Sequence, residues 1–280
     1  MKTKAILASL LVLLIYVSCE NPKGKSNSEQ SEQSEQKSEH AKWDYSGESG
    51  PEHWVQLEQN SECDGLHQSP INIIDVETSP GNFLGKIDEM IYEDETTIRS
   101  ISNNGHTIQY NFDGDLNTME YEGKKFKMIQ FHFHALSEHT INGVRYPLEI
   151  HLVHHCEETD SYIVLALLVQ QGEPDPTFTF LDNYLPIQVG ETLEINESYN
   201  LGSKVSDIFG MDSVDVFTYE GSLTTPPCTQ DVLWIVVKNA SSASPAQIEA
   251  LQSLMPKNNY RDTQEINDRV IHHEKMIELF

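Results

Sequence analysis

The chain has 280 residues, 38% of them hydrophobic, with 44 acidic against 18 basic side chains and a formal net charge of −26 at pH 7. That length fits one large domain with appendages, or two small domains. The acidic balance argues against nucleic-acid binding, which needs a basic surface.

Lys2 and Lys4 precede an apolar run from Ala5 to Val17 that ends in Ser18-Cys19. The run is too short to span a bilayer comfortably, and residues 1–18 read as a signal peptide. A small residue followed by cysteine at the cleavage point resembles a bacterial lipoprotein signal, in which Cys19 becomes the lipidated first residue of the mature chain. Tyr16 departs from the leucine-like residue usual in that motif, which leaves ordinary cleavage and an uncleaved anchor as alternatives. The expected location is the cell envelope or periplasm, with a lipid at Cys19 as the sole membrane contact. Residues 20–40 contain no hydrophobe and repeat Ser-Glu-Gln from Ser28 to Gln36, so a disordered tether is expected over 19–42. The folded domain is expected at 43–280, beginning near Trp43.

If Cys19 carries lipid, Cys63, Cys156 and Cys228 remain, and export makes a disulfide among them the expectation. Counting alone does not choose the pair. From Ile71 onward, short apolar segments alternate with turn signals such as Asn103-Asn-Gly105, Glu122-Gly123 and Asn142-Gly143. Strands are predicted at Ile98–Ser102, Thr107–Phe112, Met128–His134, Glu149–His154, Ile163–Val169 and Leu233–Val237. Ile163–Val169 is apolar on both faces and is expected to be central. Short helices are predicted at Thr177–Tyr184, Val205–Phe209 and Pro245–Leu254, with Pro245 suited to a first turn. The fold class is therefore mostly β with short peripheral helices, a single domain around a large, twisted, mainly antiparallel sheet.

The segments Gln130-Phe-His-Phe-His134 and Glu149-Ile-His151 carry the most chemistry. A strand turns alternate side chains to opposite faces, so His132 and His134 project together while Phe131 and Phe133 point away. If the strand around Leu148–His154 is a neighbour, His151 joins them. Three imidazoles would leave a tetrahedral metal with one open position, as in catalytic rather than structural zinc sites, and zinc is the metal that suits such ligands. Gln130 and Glu149, each two residues before a histidine, are placed to accept the other ring N–H. The plainer reading is an aromatic-rich strand with satisfied histidines, and the third histidine with its own carboxylate weighs against it. His40, His53, His67, His139, His154, His155, His272 and His273 read as surface or core residues.

Further segments fall into one order: Trp43-Asp-Tyr45, Gly50-Pro-Glu-His-Trp54, Gln68-Ser-Pro-Ile-Asn-Ile73, Asn103-Asn-Gly-His106, Ser137-Glu-His139, Tyr146-Pro-Leu-Glu-Ile-His-Leu-Val153, Tyr219-Glu-Gly-Ser-Leu-Thr-Thr-Pro-Pro227, Val232-Leu-Trp234 and Asn259-Tyr-Arg261. From Trp43 to near residue 271 the chain resembles an α-class carbonic anhydrase. The resemblance implies that family's fold and reversible hydration of carbon dioxide by zinc-bound hydroxide, with one Zn2+ per chain on His132, His134 and His151. It implies that Gln130, Glu149 and the Asn259 carbonyl orient these rings. Thr224 would orient the hydroxide and pass its own proton toward Glu138, with Thr225 a second hydroxyl at the mouth. Val153, Val164, Leu223, Val232 and Trp234 would form an apolar wall for carbon dioxide. His106 matches the proton-shuttle position, and Tyr45, Asn104 and Gln109 match positions that hold its water chain, Gln109 being a substitution relative to common members. Cys63 and Cys228 match the disulfide of exported members, which leaves Cys156 a free thiol. The tail Ile271–Phe280 runs past the family's usual end and has no assigned role.

The implied partner is a small molecule, carbon dioxide or bicarbonate, in a monomer or homodimer, with weak ester hydrolysis as a side reaction. A catalytically inactive binding module is the alternative; such relatives typically lose a zinc histidine, and none is missing here. A zincin-type protease is disfavoured because the sequence has no His-Glu-x-x-His.

Overall fold

The computed structural model describes residues 43–93, 96–112, 116–202, 205 and 214–276. The expected signal peptide, Cys19, the tether and most of the predicted helix Val205–Phe209 lie outside the described residues. Nine strands carry the main sheet: β1 Thr96–Asn103, β2 Ile108–Phe112, β3 Lys124–His134, β4 Leu148–Cys156, β5 Ser161–Gln171, β6 Thr192–Tyr199, β7 Val214–Gly221, β8 Val232–Ala243 and β9 His272–Met276. Their spatial order is β6-β1-β2-β3-β4-β5-β8-β7-β9, ending on the two-residue strand Ser79–Pro80. Pairing along the nine is antiparallel except where β5 meets β8. Short helices whose full bounds lie among the described residues are Trp54–Leu57 (α1), Pro176–Asp182 (α2) and Pro245–Leu254 (α3). No helix among the described residues is long and apolar enough to cross a membrane.

The sheet separates two apolar clusters, and side-chain alternation decides which residue joins which. Tyr110, Phe131, Phe133, Leu165 and Ile235 belong to the larger one, whereas Val153, Val164, Ala166, Trp234 and Val236 form the smaller. Phe131 and Phe133 are buried, and Phe131 stacks on Tyr110 at 4.8 Å. Each such side chain contributes about 1.5–3 kcal/mol by leaving water. These phenylalanines hold the intervening His132 on the opposite face.

The predicted strands all form, most of them longer by a few residues, and Ile163–Val169 lies within central β5, buried throughout. Helix α3 matches its predicted bounds: the Ser244 side chain accepts the Gln247 N–H while Gln247 Oε1 accepts the Ser244 N–H. This reciprocal cap satisfies two donors that a helix start leaves open. Of these nine strands, β6, β7 and β9 were not anticipated, nor were Ser79–Pro80 and the pair Ile87–Ile91 and Thr118–Tyr121 of the same sheet. β6 is largely exposed, with Glu194 and Glu197 toward water, and β9 is His-His-Glu-Lys-Met; neither shows apolar alternation. β9 places part of the unassigned tail beside β7, while residues 277–280 lie outside the described residues.

Candidate metal centre

Strands β3 and β4 pair so that His151 lies directly across from His132, and Glu149 across from His134. One ring nitrogen of each of His132, His134 and His151 falls within 4.8 Å of the other two. His132 Nε2 lies 3.1 Å from His134 Nε2. The opposite nitrogens are all committed. Gln130 Oε1 accepts from His132 Nδ1 at 2.9 Å, the Asn259 carbonyl from His134 Nδ1 at 2.7 Å, and Glu149 Oε1 from His151 Nε2 at 2.7 Å. The nitrogens left to converge are therefore Nε2, Nε2 and Nδ1, and the set could hold a metal ion. Burial, reinforced by the neighbouring rings, holds His132 well below the usual imidazole range. Burial lowers His134 as well, despite the Glu138 charge. Neutral imidazole is the form that ligates.

Glu149 is fully buried, and burial alone would raise its pKa; His139 and His151 overcome that and hold it well below the carboxylate range. Its Oε2 accepts the N–H groups of Glu138 and His139 at 2.7 and 2.8 Å, and Oε1 also accepts from His139 Nδ1 at 2.7 Å. The other side of the His139 ring meets the Tyr219 hydroxyl at 2.6 Å, which donates to Ser69 Oγ at 2.9 Å. His139, which the sequence reading set aside, is thus a fully buried brace for Glu149. Its partners lie up to 80 positions away, beyond the reach of spacing. His154 is buried on the same strand and belongs to the core, its Nε2 facing the Tyr92 hydroxyl at 2.8 Å and burial pushing its pKa down to about 4.

Beside the rings, a cavity of about 160 Å3 is lined by His132, His151, Val153, Val164, Leu223, Thr224, Thr225 and Trp234. Val232 is not among the lining residues; it is buried in the same apolar cluster as Val153, Val164 and Trp234. Tyr162 and Ile129 also line it. Tyr162 sits two positions before Val164 on β5, so strand periodicity could have found it. Glu138 is fully buried, with Oε1 accepting the Arg261 N–H at 2.8 Å. Its Oε2 has no hydrogen-bond partner among the described residues and lies 3.5 Å from His134 Nε2. No described hydrogen bond joins Thr224 to Glu138, so the Oε2 expected to accept the Thr224 proton is still open. The Cys63–Cys228 disulfide is present, and the Cys228 N–H donates to the Thr225 carbonyl at 2.8 Å, bracing the loop that carries Thr224. Cys156 is a buried free thiol.

His106 stands on a tight turn, and its carbonyl accepts from the Asn259 side chain at 3.0 Å. Asn103 Oδ1 accepts the Gly105 N–H, and Asn104 Oδ1 accepts those of His106 and Thr107. Gly105 adopts φ +85°, a conformation glycine reaches at little cost. Asn104, expected to hold water, thus commits its oxygen to the turn itself. Gln109 Nε2 donates to Asn111 Oδ1 at 2.6 Å, and Gln109 pairs across from His132. The His106 ring stacks on Trp43 at 3.6 Å with planes 10° apart, and Tyr45 approaches it edge-on at 6.1 Å. Burial, with the Glu138 and Asp44 charges adding, holds the Tyr45 hydroxyl well above its ordinary range, so it stays protonated. The stacking role of Trp43 was not read from the sequence.

Residues 49–275 match the family model described as eukaryotic-type carbonic anhydrase. A carbonic anhydrase of Nostoc sp. is 35% identical over 236 residues, which cover 82% of this chain and 84% of that relative. One of Neisseria gonorrhoeae is 32% identical, covering 83% and 88%. The solved structure of the Photobacterium profundum α-carbonic anhydrase is 36% identical with a TM-score of 0.72, covering 82% of this chain and 100% of that one.

Proposed function

The chain belongs to the α-class carbonic anhydrase family and is an enzyme that interconverts carbon dioxide and bicarbonate; from that premise we propose that it works with one zinc ion on His132, His134 and His151, and that His106 carries the proton away. The observation that carries the reading is the convergence of three ring nitrogens whose opposite nitrogens are all tied to protein acceptors. The donor set fits: three neutral imidazoles leave a divalent cation its full charge, and zinc takes such ligands. Zinc bound there supplies a nucleophile at neutral pH by lowering the pKa of water to about 7, a shift for which carbonic anhydrase is itself the reference case.

The protein's own groups do the rest. Val153, Val164, Leu223 and Trp234 offer an apolar surface to a small substrate that has no charge to grip. The Thr224 hydroxyl would donate to the open Glu138 Oε2, which would fix the direction of its lone pairs toward the cavity. The Thr224 N–H and the Thr225 hydroxyl receive a bicarbonate oxygen. His106 takes a proton at its imidazole near neutral pH, the range in which histidine titrates, and gives it to solvent at the mouth. Gln109 and Tyr45 flank that path. Weak ester hydrolysis follows from the same nucleophile.

Stopped-flow hydration with metal analysis tests this. One zinc per chain and a rate that collapses in His132→Ala are expected, and a zinc-loaded protein no faster than buffer would sink it. We further propose export with lipid attachment at Cys19, supported by the apolar run ending in Ser18-Cys19. Incorporation of a labelled fatty acid by the full-length chain, lost in Cys19→Ala, is the expected result; an unlabelled wild-type chain refutes it.

A further inference from the structure

The residue that sets where Glu138 points lies on none of the strands that carry the metal ligands. Glu138 Oε1 is pinned by the backbone N–H of Arg261, which leaves Oε2 as the oxygen directed at the rings. The Arg261 side chain is 2% exposed, and its guanidinium meets no carboxylate within hydrogen-bonding distance. Instead Nη1 donates to Gln68 Oε1 at 2.7 Å and the Ser69 carbonyl at 2.9 Å, and Nη2 donates to the Cys63 carbonyl at 2.9 Å. The Trp54 ring lies 5.5 Å from its centre. A buried cation held by neutral oxygens is costly, and burial lowers its pKa to about 10.

The strap that receives this fork also reaches the Thr224 loop. Gln68 Nε2 donates to the Cys228 carbonyl at 3.4 Å, and the Ser69 N–H to Ser222 Oγ at 3.0 Å. Cys63 is covalently joined to Cys228. Two residues before Arg261, the Asn259 carbonyl orients His134. One short segment, 259–261, thus presents an acceptor to a ligand ring and a donor to Glu138.

We infer that Arg261 is a positioning residue for the Thr224–Glu138 pair: its guanidinium anchors segment 259–261 to the strap that carries the Thr224 loop, and its N–H fixes Glu138 with Oε2 facing the hydroxyl. The inference rests on the roles given to Thr224 and Glu138 above. A double-mutant comparison on the zinc-loaded, disulfide-intact enzyme tests it. Arg261→Gln is expected to lower kcat about tenfold with KM within about twofold, and to add less than about twofold in a Glu138→Gln background. Equal factors in both backgrounds overturn the inference. Proton NMR gives a readout apart from turnover. The His134 Nδ1–H resonance, held by Asn259, is expected to shift or broaden in Arg261→Gln while that of His132, held by Gln130, stays. Both moving together, or neither moving, refutes positioning. If Arg261→Gln does not fold, Arg261→Lys keeps the charge without the fork and is expected to move the same readouts in the same direction. A wild-type enzyme without hydration activity would defeat the functional reading and leave the NMR comparison standing as the test of Arg261.

Discussion

The three converging histidines and His106 are the same residue type held in opposite ways. Each ring of the triad is fixed by a protein acceptor at 2.7–2.9 Å and stands on a strand inside the sheet. His106 stands on a turn, its ring laid against Trp43. Hydrogen bonds to one nitrogen fix a ring's rotation and tautomer. A stacking contact, worth about 0.5–1.5 kcal/mol, sets the plane in which a ring lies. Holding a metal needs the first kind of support, whereas a proton carrier needs to be placed rather than locked to one ligand geometry.

The larger test of that contrast is His106→Ala. Turnover is expected to fall on the order of 100-fold in stopped-flow hydration, while zinc content stays at one per chain. Added imidazole should restore much of the loss, because a dissolved base can take the same proton; indifference to both the substitution and the imidazole would remove the distinction.

The smaller test uses His154, buried on the same strand as His151 but in the core. Its folded pKa, about 4, lies below the ordinary 6.5, so the unfolded chain binds its proton first as pH falls. The sign follows: the stability it contributes is complete above about pH 6.5 and is lost as pH drops toward 4, by about 3 kcal/mol in total. Thermal melts across that window should slope less steeply in His154→Gln, with hydration at neutral pH unchanged. An identical slope would show that His154 is not the group responsible.

The triad was legible because a period of two is written directly into Gln130-Phe-His-Phe-His134 and Glu149-Ile-His151, and short apolar segments between turn signals marked β1 to β5 and β8. Resemblance supplied Thr224, Glu138 and the disulfide pair, which no local pattern joins. What stayed hidden depends on contacts across the chain. His139 gains its meaning from Glu149 and Tyr219, Trp43 from a turn more than sixty residues on, and Arg261 from a strap near Cys63. Strands β6 and β9 escaped notice because pairing with neighbours, rather than burial of their own side chains, makes them strands.

The ends of the sheet bear on how the protein behaves among copies of itself. At one end β6, which pairs only with β1 among the described residues, carries Glu194 and Glu197 toward water. At the other, Ser79–Pro80 closes the sheet with a residue that has no N–H to donate. A strand approaching either end meets like charge or a missing donor. These two short stretches therefore oppose edge-to-edge pairing locally, in addition to the repulsion from the net charge of −26.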